Sequence, residues 1–548
     1  MRRGACALAA ILVAGCAARG PLEPLSPEVR SLAAELDSAF DGTEFARASW
    51  GVVVQSLSTG QVLYRRNAAH LFMPASNQKS LTGSAALTRL GADFRWRTSV
   101  VARGQRHGDT LAGDLVVIGR GDPGLSLHAT GGTDILAPLR PWADSLRARG
   151  IRVVTGRVVG DASWLKSPVL GEGWMWDDLQ DSYSAPVGAL QFNEGFALIE
   201  VTPGANPGDT ARARLMPADA PLRVFSQVTT APRDSNIRDV HYTRAFYTDS
   251  VLLTGRLSAG RAPIQLEAAV TDPTRYFEDA LTQALRESGI AVLGPRLPPV
   301  STVTPTTAAA FVVQSAPAPL PLAPAALAVP AAPAPMTAAT NAPPVAPGPA
   351  TVTPAAPPAT PADTLFTWQS PRLDSVLKLL EKPSQNQIAE ALLLTLGAVT
   401  RNVASIDSGR AAVKETLTGW GIPEDAYQYI DGSGLSRYNY VAPEAVAQVL
   451  VSMARSPDFD AFYNALPIAG VDGTIEQRLR GTLAQGNVRA KTGSIANVRS
   501  LSGYVTTVEG ERFVFVMMCN HFTTSRRVVE RVQDHVVERL ANFTRQRR

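Results

Sequence analysis

The feature that most constrains how this chain can fold is an uncharged, proline-rich segment, residues 297–362. It carries no Asp, Glu, Lys or Arg and holds 18 of the 41 prolines, mixed with Ala, Thr and Val. Proline removes backbone hydrogen-bond donors and keeps the chain extended, so such a segment cannot build a packed core. We predict a semi-rigid linker here, and the globular structure must come from the residues on either side.

The amino terminus has the pattern of an exported protein. Two arginines precede a short apolar run, which ends in small residues immediately before Cys16. This order predicts a signal peptide over residues 1–15. A cysteine at this point resembles a bacterial lipobox, so Cys16 is the expected lipidation site and residues 16–25 a lipid-anchored tether. The alternative is a plain signal peptide cut near residues 17–18.

Composition excludes several other classes of protein. Apolar residues make up 45% and charged residues 18% of the 548 residues, which is a globular balance. The formal net charge of +4 is small for this length, so no nucleic-acid partner is expected. No apolar stretch reaches the ~18 residues of a membrane-spanning helix. After processing, Cys519 is the one cysteine left in the folded part, which excludes an internal disulfide.

The pattern of predicted helices and strands changes twice along the chain. Residues 26–99 and 363–548 combine helical periodicity with strands, whereas residues 100–296 consist of short strands with frequent Gly, Pro and Asp. Within that middle region only residues 274–287 form a convincing amphipathic helix. We therefore predict one α/β domain built from both chain ends, interrupted by a mainly β insert of one or two subdomains.

Lysine is the informative residue type. The chain has six lysines among its 52 basic residues, so arginine serves wherever plain positive charge suffices. Lys79 lies three residues after Ser76 in a predicted helix that ends at Gly91, so amine and hydroxyl share one helix face. A buried lysine can lose its proton and act as a base, which arginine cannot. Ser76 is thus a candidate nucleophile and Lys79 its base.

Two further motifs have the right residue types for the same chemistry. Lys491, Thr492, Gly493 and Ser494 fall on a predicted strand near the carboxyl terminus, where an edge strand would offer an ammonium group and a hydroxyl to an anion. Gly493 would permit close backbone approach. Ser384-Gln385-Asn386 precedes an apolar helix; alone it is a common triplet, and a serine there is usually a helix cap.

In combination, the three motifs resemble those of penicillin-binding proteins and serine β-lactamases. The sequence is most similar to the D-Ala-D-Ala carboxypeptidase/endopeptidases, the low-molecular-mass class C penicillin-binding proteins. Further stretches that resemble this family are Met73-Pro-Ala-Ser-Asn-Gln-Lys79, Gly119-Arg-Gly-Asp-Pro123, Gly173-Trp-Met-Trp-Asp-Asp-Leu179, Tyr183-Ser-Ala-Pro186, Asp431-Gly-Ser-Gly-Leu-Ser-Arg437 and Gly470-Val-Asp-Gly-Thr474. The roughly 300 residues between the first two motifs match the position of the family's insert. The linker is not part of the family pattern.

The resemblance implies a transpeptidase-like domain, an antiparallel sheet with helices, and a serine DD-peptidase. Its expected substrates are peptidoglycan stem peptides ending in D-Ala-D-Ala and their crosslinks, its expected covalent inhibitors are β-lactams, and no cofactor or metal is needed. Lys491 should lower the pKa of Lys79, remain protonated itself and, with Thr492, hold the terminal carboxylate. Ser384 would relay a proton to the leaving group, and Asn386 would orient Lys79.

Other expectations from the resemblance concern substrate contacts. The backbone N–H groups of Ser76 and Ser494 are the expected oxyanion hole. In the family an acid of the insert helps to recognise the amino end of the stem side chain, and Asp178 is the matching position here, with Asp177 a close rival. The middle motif has Gln385 where many relatives carry Asp or Asn, a change we discount because the chemistry lies in the flanking side chains.

Two other functions stay open at this point. A β-lactam hydrolase on the same scaffold differs mainly in how fast water attacks the acyl-enzyme. A wall-binding lipoprotein could keep the fold without the activity, although intact Ser76, Lys79, Asn386 and Lys491 argue against it. The expected location is periplasmic and lipid-anchored, with the outer membrane preferred because no acidic residue follows Cys16.

Overall fold

The computed structural model describes residues 26–245, 248–295 and 363–546. The predicted signal peptide, Cys16 with its tether and the linker at residues 297–362 lie outside the described residues. The helices are, in chain order, α1 (Pro27–Phe40), α2 (Gln78–Leu90), α3 (Leu127–Thr130), α4 (Arg140–Ala148), α5 (Pro273–Glu287), α6 (Leu373–Glu381), α7 (Asn386–Arg401), α8 (Ile406–Gly419), α9 (Pro443–Ala454), α10 (Phe459–Ala465) and α11 (Arg526–Ala541).

The strands are β1 (Ser49–Ser56), β2 (Val62–Arg66), β3 (Arg97–His107), β4 (Thr110–Ile118), β5 (Val153–Val154), β6 (Val158–Asp161), β7 (Phe196–Thr202), β8 (Arg212–Met216), β9 (Arg223–Ser226), β10 (Thr229–Ala231), β11 (Arg238–Arg244), β12 (Ser250–Ser258), β13 (Ile264–Ala269), β14 (Ala291–Val292), β15 (Asp363–Gln369), β16 (Tyr427–Gln428), β17 (Tyr440–Val441), β18 (Arg489–Ile495), β19 (Val498–Thr506) and β20 (Arg512–Asn520). No helix among the described residues is both long and apolar enough to cross a bilayer.

The chain divides into two compact units. Among the described residues, the first consists of residues 26–94, Gly171–Trp174 and residues 372–546, and the second of Arg95–Leu170 and residues 175–245, 248–295 and 363–371. These limits differ from the boundaries predicted at residues 99/100 and 362/363. The physical reason is that β15, which follows the linker, pairs antiparallel with β3 and so belongs to the second unit. In the first unit, Trp174 Nε1 donates a 3.0 Å hydrogen bond to Asp431 Oδ2.

The first unit is built around a five-stranded antiparallel sheet in the order β18-β19-β20-β1-β2. The amino-terminal hairpin joins the carboxyl-terminal strands because β1 pairs with β20 along its whole length. This pairing confirms the prediction of an α/β domain formed by both chain ends. It also leaves β18, which carries the Lys491 motif, at the edge of the sheet, as the sequence indicated.

Helices cover the sheet of the first unit and complete its core. One hydrophobic cluster joins α1 and α11 to the sheet, with Phe40, Trp50 and Val537 fully buried or nearly so. The α1 helix begins where the Ser26 hydroxyl accepts a hydrogen bond from the Val29 backbone N–H, an ordinary serine N-cap. Helices α2, α6, α7 and α8 pack together in the same unit.

The second unit consists of several small sheets around its own core. Its largest sheet has six strands, β14-β5-β4-β3-β15 with β6 on β4. The predicted helix at residues 274–287 is confirmed as α5. The expectation that it is the only helix of the insert is wrong, because α4 is also helical and buries Trp142, Ala143 and Leu146. Trp142 packs edge-on against Phe277 of α5, with ring centroids 5.6 Å apart.

Candidate active site

Ser76 lies at a sharp turn that leads into α2. A short 3₁₀ helix, Ala75–Asn77, comes directly before α2, so Ser76 precedes the α-helix rather than lying inside it as predicted. Ala75 has a φ of 48°, a left-handed conformation that is unfavourable for a residue other than glycine. Gly434 approaches the Ala75 carbonyl so closely that a Cβ there would lie 1.9 Å from its oxygen. The turn that presents the serine is therefore held by the close packing around it.

Lys79 is fully buried and its amine faces three oxygen atoms. Nζ of Lys79 lies 2.8 Å from Oγ of Ser76, 2.6 Å from Oδ1 of Asn386 and 2.9 Å from the carbonyl oxygen of Ser433. The last two atoms accept hydrogen bonds only. In a neutral amine the two N–H groups would serve these acceptors, which leaves the nitrogen lone pair for the Ser76 hydroxyl.

The environment of Lys79 favours its neutral form. Burial lowers the pKa of Lys79 to about 7, and the nearby charge of Lys491 acts in the same direction. Acidic groups oppose this shift, with Glu381 the largest of them. Repulsion by Lys491 was the cause expected from the sequence, whereas burial contributes more. A lysine with a pKa near neutral is suited to general-base catalysis at physiological pH.

A loop between β16 and β17 supplies the third contact of Lys79. Glu390 of α7 is buried and accepts hydrogen bonds from the backbone N–H groups of Gly432, at 3.0 Å, and Ser433, at 2.8 Å. Asp431 is also buried and binds the backbone N–H groups of Gly434 and Ser436, both at 2.7 Å. These carboxylates fix the backbone so that the Ser433 carbonyl faces Lys79.

Lys491 and Ser384 form a second pair next to the first. Nζ of Lys491 is buried and donates a 2.8 Å hydrogen bond to Oγ of Ser384. Ser384 has a φ of 69°, and α7 is capped by Gln385 without a side-chain bond, so the serine does not act as the helix cap. Burial lowers the pKa of Lys491, and the charge of Glu381 raises it.

The rest of the strand motif lines the edge of the sheet. Thr492 Oγ1 donates to Thr474 Oγ1 at 2.7 Å, and Ser494 is exposed. A Cβ on Gly493 would lie 2.5 Å from the carbonyl oxygen of Pro74. Glycine is therefore required here because the edge strand approaches the turn that presents Ser76. Ser500 of the neighbouring strand closes this contact with a 2.6 Å hydrogen bond to the same carbonyl.

Asp178 lies in the second compact unit, within the 3₁₀ helix Trp176–Asp178. Its Oδ1 accepts a 2.7 Å hydrogen bond from the hydroxyl of Tyr183. Its rival Asp177 lines a cavity of about 760 Å³ within that unit, together with apolar side chains such as Leu165 and Leu179. Among residues 26–245, 248–295 and 363–546, no group of three or more His, Cys, Asp or Glu side chains is arranged to hold a metal ion.

Sequence reasoning assigned no role to three groups of this site: Glu381, Glu390 and the backbone of Ser433, although Ser433 lies within the family-like stretch Asp431–Arg437. Glu390 had a signal, because it is a charged residue within an apolar helix, four residues after Asn386 and so on the same face. Ser433 contributes only its carbonyl oxygen, which no residue-type pattern can reveal. Glu381 ends a helix like many surface acids, and its burial becomes visible only in the folded chain.

Comparison with known proteins agrees with this geometry. The sequence model of the D-Ala-D-Ala carboxypeptidase 3 (S13) family matches residues 32–321 and 348–543. The match includes both ends of the predicted linker and leaves out residues 322–347, so the expectation that the whole linker lies outside the family pattern is wrong. A D-alanyl-D-alanine carboxypeptidase of Actinomadura sp. (strain R39) is 29% identical over 522 residues, which cover 93% of this chain and 84% of the relative. D-alanyl-D-alanine carboxypeptidase DacB of Haemophilus influenzae is 28% identical over 479 residues, 86% of each chain.

Solved structures show the same fold. The crystal structure of penicillin binding protein 4 (dacB) from Haemophilus influenzae matches with a TM-score of 0.67 and 26% identity, covering 93% of this chain and 99% of that one. A structure of the same protein complexed with a β-lactam matches with a TM-score of 0.64 and 25% identity over the same shares. The chain therefore belongs to the D-Ala-D-Ala carboxypeptidase 3 (S13) family of serine-type carboxypeptidases.

Proposed function

We propose that this protein is a serine DD-peptidase that acts on D-Ala-D-Ala stem peptides and crosslinks of peptidoglycan through an acyl-enzyme, and that β-lactams inhibit it by acylating the same serine. The observation that carries this proposal is the buried amine of Lys79, which lies 2.8 Å from the Ser76 hydroxyl and has a pKa lowered to about 7. Relatives named as D-alanyl-D-alanine carboxypeptidases and a relative's β-lactam complex support the choice of substrate and inhibitor.

Acylation begins with Ser76. Its Oγ attacks the carbonyl carbon of the penultimate D-alanine while neutral Lys79 takes the hydroxyl proton. Asn386 and the Ser433 carbonyl hold the amine in place during this transfer. The negative charge that develops on the substrate oxygen is stabilised by the backbone N–H groups of Ser76 and Ser494.

The tetrahedral intermediate then collapses with loss of the terminal D-alanine. The C–N bond breaks, and the amine that leaves needs a proton. Ser384 donates its hydroxyl proton to this amine and regains a proton from Lys79, which took it from Ser76, so Lys79 is neutral again. Lys491, 2.8 Å from Ser384, keeps its ammonium charge throughout. Water attacks the acyl-enzyme with Lys79 as its base, which releases the shortened peptide and regenerates Ser76.

Substrate selection falls to two groups of residues. Lys491 and Thr492 bind the carboxylate of the terminal D-alanine, since an ammonium and a hydroxyl form charge-assisted hydrogen bonds with it. Asp178 binds the amino end of the stem side chain, and Asp177, which lines the apolar cavity, is the alternative. Separate Asp178→Asn and Asp177→Asn variants test this choice, because only the correct one should lose the preference for a substrate with a free side-chain amine.

The protein works outside the cytoplasm, as its peptidoglycan substrate requires. We place a lipid anchor at Cys16, with the outer membrane as the preferred location. Residues 1–16 support this anchor, because two arginines are followed by an apolar run and then by small residues immediately before the cysteine. Growth with a radiolabelled fatty acid tests the anchor. The full-length protein should carry label and partition with membranes, and a Cys16→Ser variant that is exported but still labelled would overturn it.

Labelling with fluorescent penicillin tests the central proposal. Soluble protein that lacks residues 1–16 should form a covalent band on a denaturing gel, and a folded Ser76→Ala variant should form none. Release of D-alanine from a stem-peptide substrate should follow the same pattern. Rapid turnover of the penicillin would favour a β-lactam hydrolase instead. A folded protein that neither binds penicillin covalently nor releases D-alanine would leave a wall-binding lipoprotein without catalytic activity.

A further inference from the structure

The pocket around Lys79 contains a buried carboxylate that the proposed chemistry does not use. Glu381 is the last residue of α6, three residues before Ser384, and its side chain is fully buried. Neither of its carboxylate oxygens has a hydrogen-bond partner among the described residues. A buried carboxylate without hydrogen bonds costs folding free energy, so a compensating interaction must be sought in its surroundings.

A glycine on α2 leaves room for the Glu381 carboxylate. Oε1 of Glu381 lies 3.2 Å from where a Cβ on Gly83 would stand. Gly83 follows Lys79 by one helical turn, so the carboxylate occupies space beside the same helix face that carries the amine. The charges that act on Glu381 are those of the buried lysines Lys491 and Lys79.

Other charged groups near α6 are engaged elsewhere or exposed. The helix packs against α2, α7 and α10. Besides Lys79 and Lys491, the acids Glu390 and Asp431 bind loop backbone, and Lys382 is paired with Asp472 at 2.6 Å. Arg89 of α2 and Arg401 of α7 are both paired with Glu415, and Arg372 is paired with Asp374. Lys378 and Asp460 face solvent. Of these acids, Glu381 has the largest effect on Lys79 and is the one that acts on Lys491.

We propose that Glu381 is a positioning residue whose buried carboxylate holds the ammonium form of Lys491, so that Lys79 is the lysine that loses its proton. This role deepens the proposed function and rests on it. With Lys491 protonated, Glu381 ionised and Lys79 neutral, the three side chains carry no net charge. A neutral cluster has the smallest desolvation cost when all three side chains are buried.

The alternative distributions of charge are less favourable. Without the carboxylate, two buried amines would share one pocket, and burial would drive the proton from both of them. Burial raises the pKa of Glu381, and the two lysines oppose this rise. The neutral cluster therefore exists over a limited pH range around neutrality, in which Lys79 acts as the base and Lys491 keeps the charge that binds a carboxylate.

The pH dependence of acylation tests this role. The rate constant for acylation by fluorescent penicillin should follow a bell, with Lys79 setting the acidic limb and Lys491 the alkaline limb. In Glu381→Gln, loss of the negative charge lowers both pKa values, so both limbs should move to lower pH by about 1 unit. Glu381→Asp keeps the charge and should give limbs close to those of the parent.

A matched control removes one negative charge from the same helix at a distance from the site. Asp374→Asn should leave both limbs in place, since Asp374 is partly exposed and paired with Arg372. If the parent and a folded Glu381→Gln variant are both acylated and their limbs lie at the same pH, the role of Glu381 is overturned and the proposed function stands. Failure of the parent to be acylated at any pH would instead overturn the proposed function.

A second measurement covers the case in which Glu381→Gln does not fold. Carbon-13 NMR of labelled glutamate carboxyl groups reports ionisation directly, and the Glu381 signal is the one absent from the Glu381→Asp spectrum. In the parent it should ionise at or below the pH of maximal acylation. A carboxyl group that stays protonated up to the alkaline limb would overturn the proposal, because it could not stabilise the Lys491 ammonium.

Discussion

Nζ of Lys79 lies 2.6 Å from Oδ1 of Asn386, although 307 residues separate the two side chains. The contact joins α2 near the amino terminus to the first residue of α7 beyond the linker. It gives one amine hydrogen a fixed acceptor, and the Ser433 carbonyl provides a second. Together they orient the remaining side of the nitrogen towards Ser76.

This contact predicts a charge effect at Asn386. An Asn386→Asp substitution places a carboxylate beside Lys79, and a nearby negative charge raises the pKa of an amine by about 1–2 units. Because Lys79 must be neutral to act, the acidic limb of the acylation profile should move to higher pH by a similar amount. Asn386→Ala removes the amide without adding charge, so it should slow acylation. Its acidic limb should stay within a few tenths of a pH unit of that of the parent. Identical limbs in all three proteins would contradict this assignment.

The pKa of Lys79 predicts the pH dependence of the parent enzyme. Since burial and Lys491 lower this pKa to about 7, the base is mostly protonated below pH 7, and acylation should fall about tenfold for each further pH unit. Arginine cannot be deprotonated in this range, so Lys79→Arg should lose at least ~10³-fold in acylation rate at every pH.

Lys414→Arg is the matched control for that substitution. Lys414 is exposed and paired with Glu424 at 2.8 Å, and arginine can keep this ion pair. Its acylation profile should coincide with that of the parent. A folded Lys79→Arg enzyme with substantial acylation would show that Lys79 is not the base.

Gly434 should be intolerant of any side chain. It has a φ of 82°, and a Cβ would lie 1.9 Å from the Ala75 carbonyl oxygen, so alanine must displace the turn that presents Ser76. We expect Gly434→Ala to lower the free energy of unfolding by about 2–4 kcal/mol and the acylation rate by at least ~10²-fold.

Gly421→Ala separates backbone strain from this clash. Gly421 has a similar φ of 76° with nothing within 4 Å of the added Cβ. Gly421→Ala should lower the free energy of unfolding by only about 1 kcal/mol and leave the acylation rate unchanged. Urea unfolding and penicillin labelling measure the two effects, and equal losses for both variants would rule out a specific role for the Gly434–Ala75 contact.

Asp431 is predicted to be the main structural support of the loop that carries Ser433. Its buried carboxylate accepts hydrogen bonds from the backbone of Gly434 and Ser436, from Asn439 Nδ2 at 2.7 Å and from Trp174 Nε1 at 3.0 Å. Asp431→Ala leaves these donors unpaired, so it should destabilise the protein by about 3 kcal/mol or more. The exposed Asp425→Ala should change stability by less than ~0.5 kcal/mol in the same urea titration. Similar midpoints for both variants would contradict this prediction.

Local relationships were determined by the sequence itself. Ser76 and Lys79 meet because three residues of helical turn bring their side chains to one face, and this geometry needs no distant partner. The periodicity of α5 and the alternation of the terminal strands are likewise local. The motif at Lys491 predicted an edge strand, and β18 lies at the edge of the sheet. The α4 helix was missed because it is only nine residues long, although Trp142, Ala143 and Leu146 lie on one buried face.

Only the tertiary structure decided what surrounds the amine of Lys79. Spacing along the chain says nothing about which groups from α6, α7 and the loop after β16 reach it, since that depends on how distant elements pack. Burial has the largest effect on the pKa of Lys79, and it too is a property of the folded unit. In the sequence, Glu381 at the end of a helix resembles any surface acid. Only packing against α2 makes it a buried carboxylate that interacts with Lys79 and Lys491.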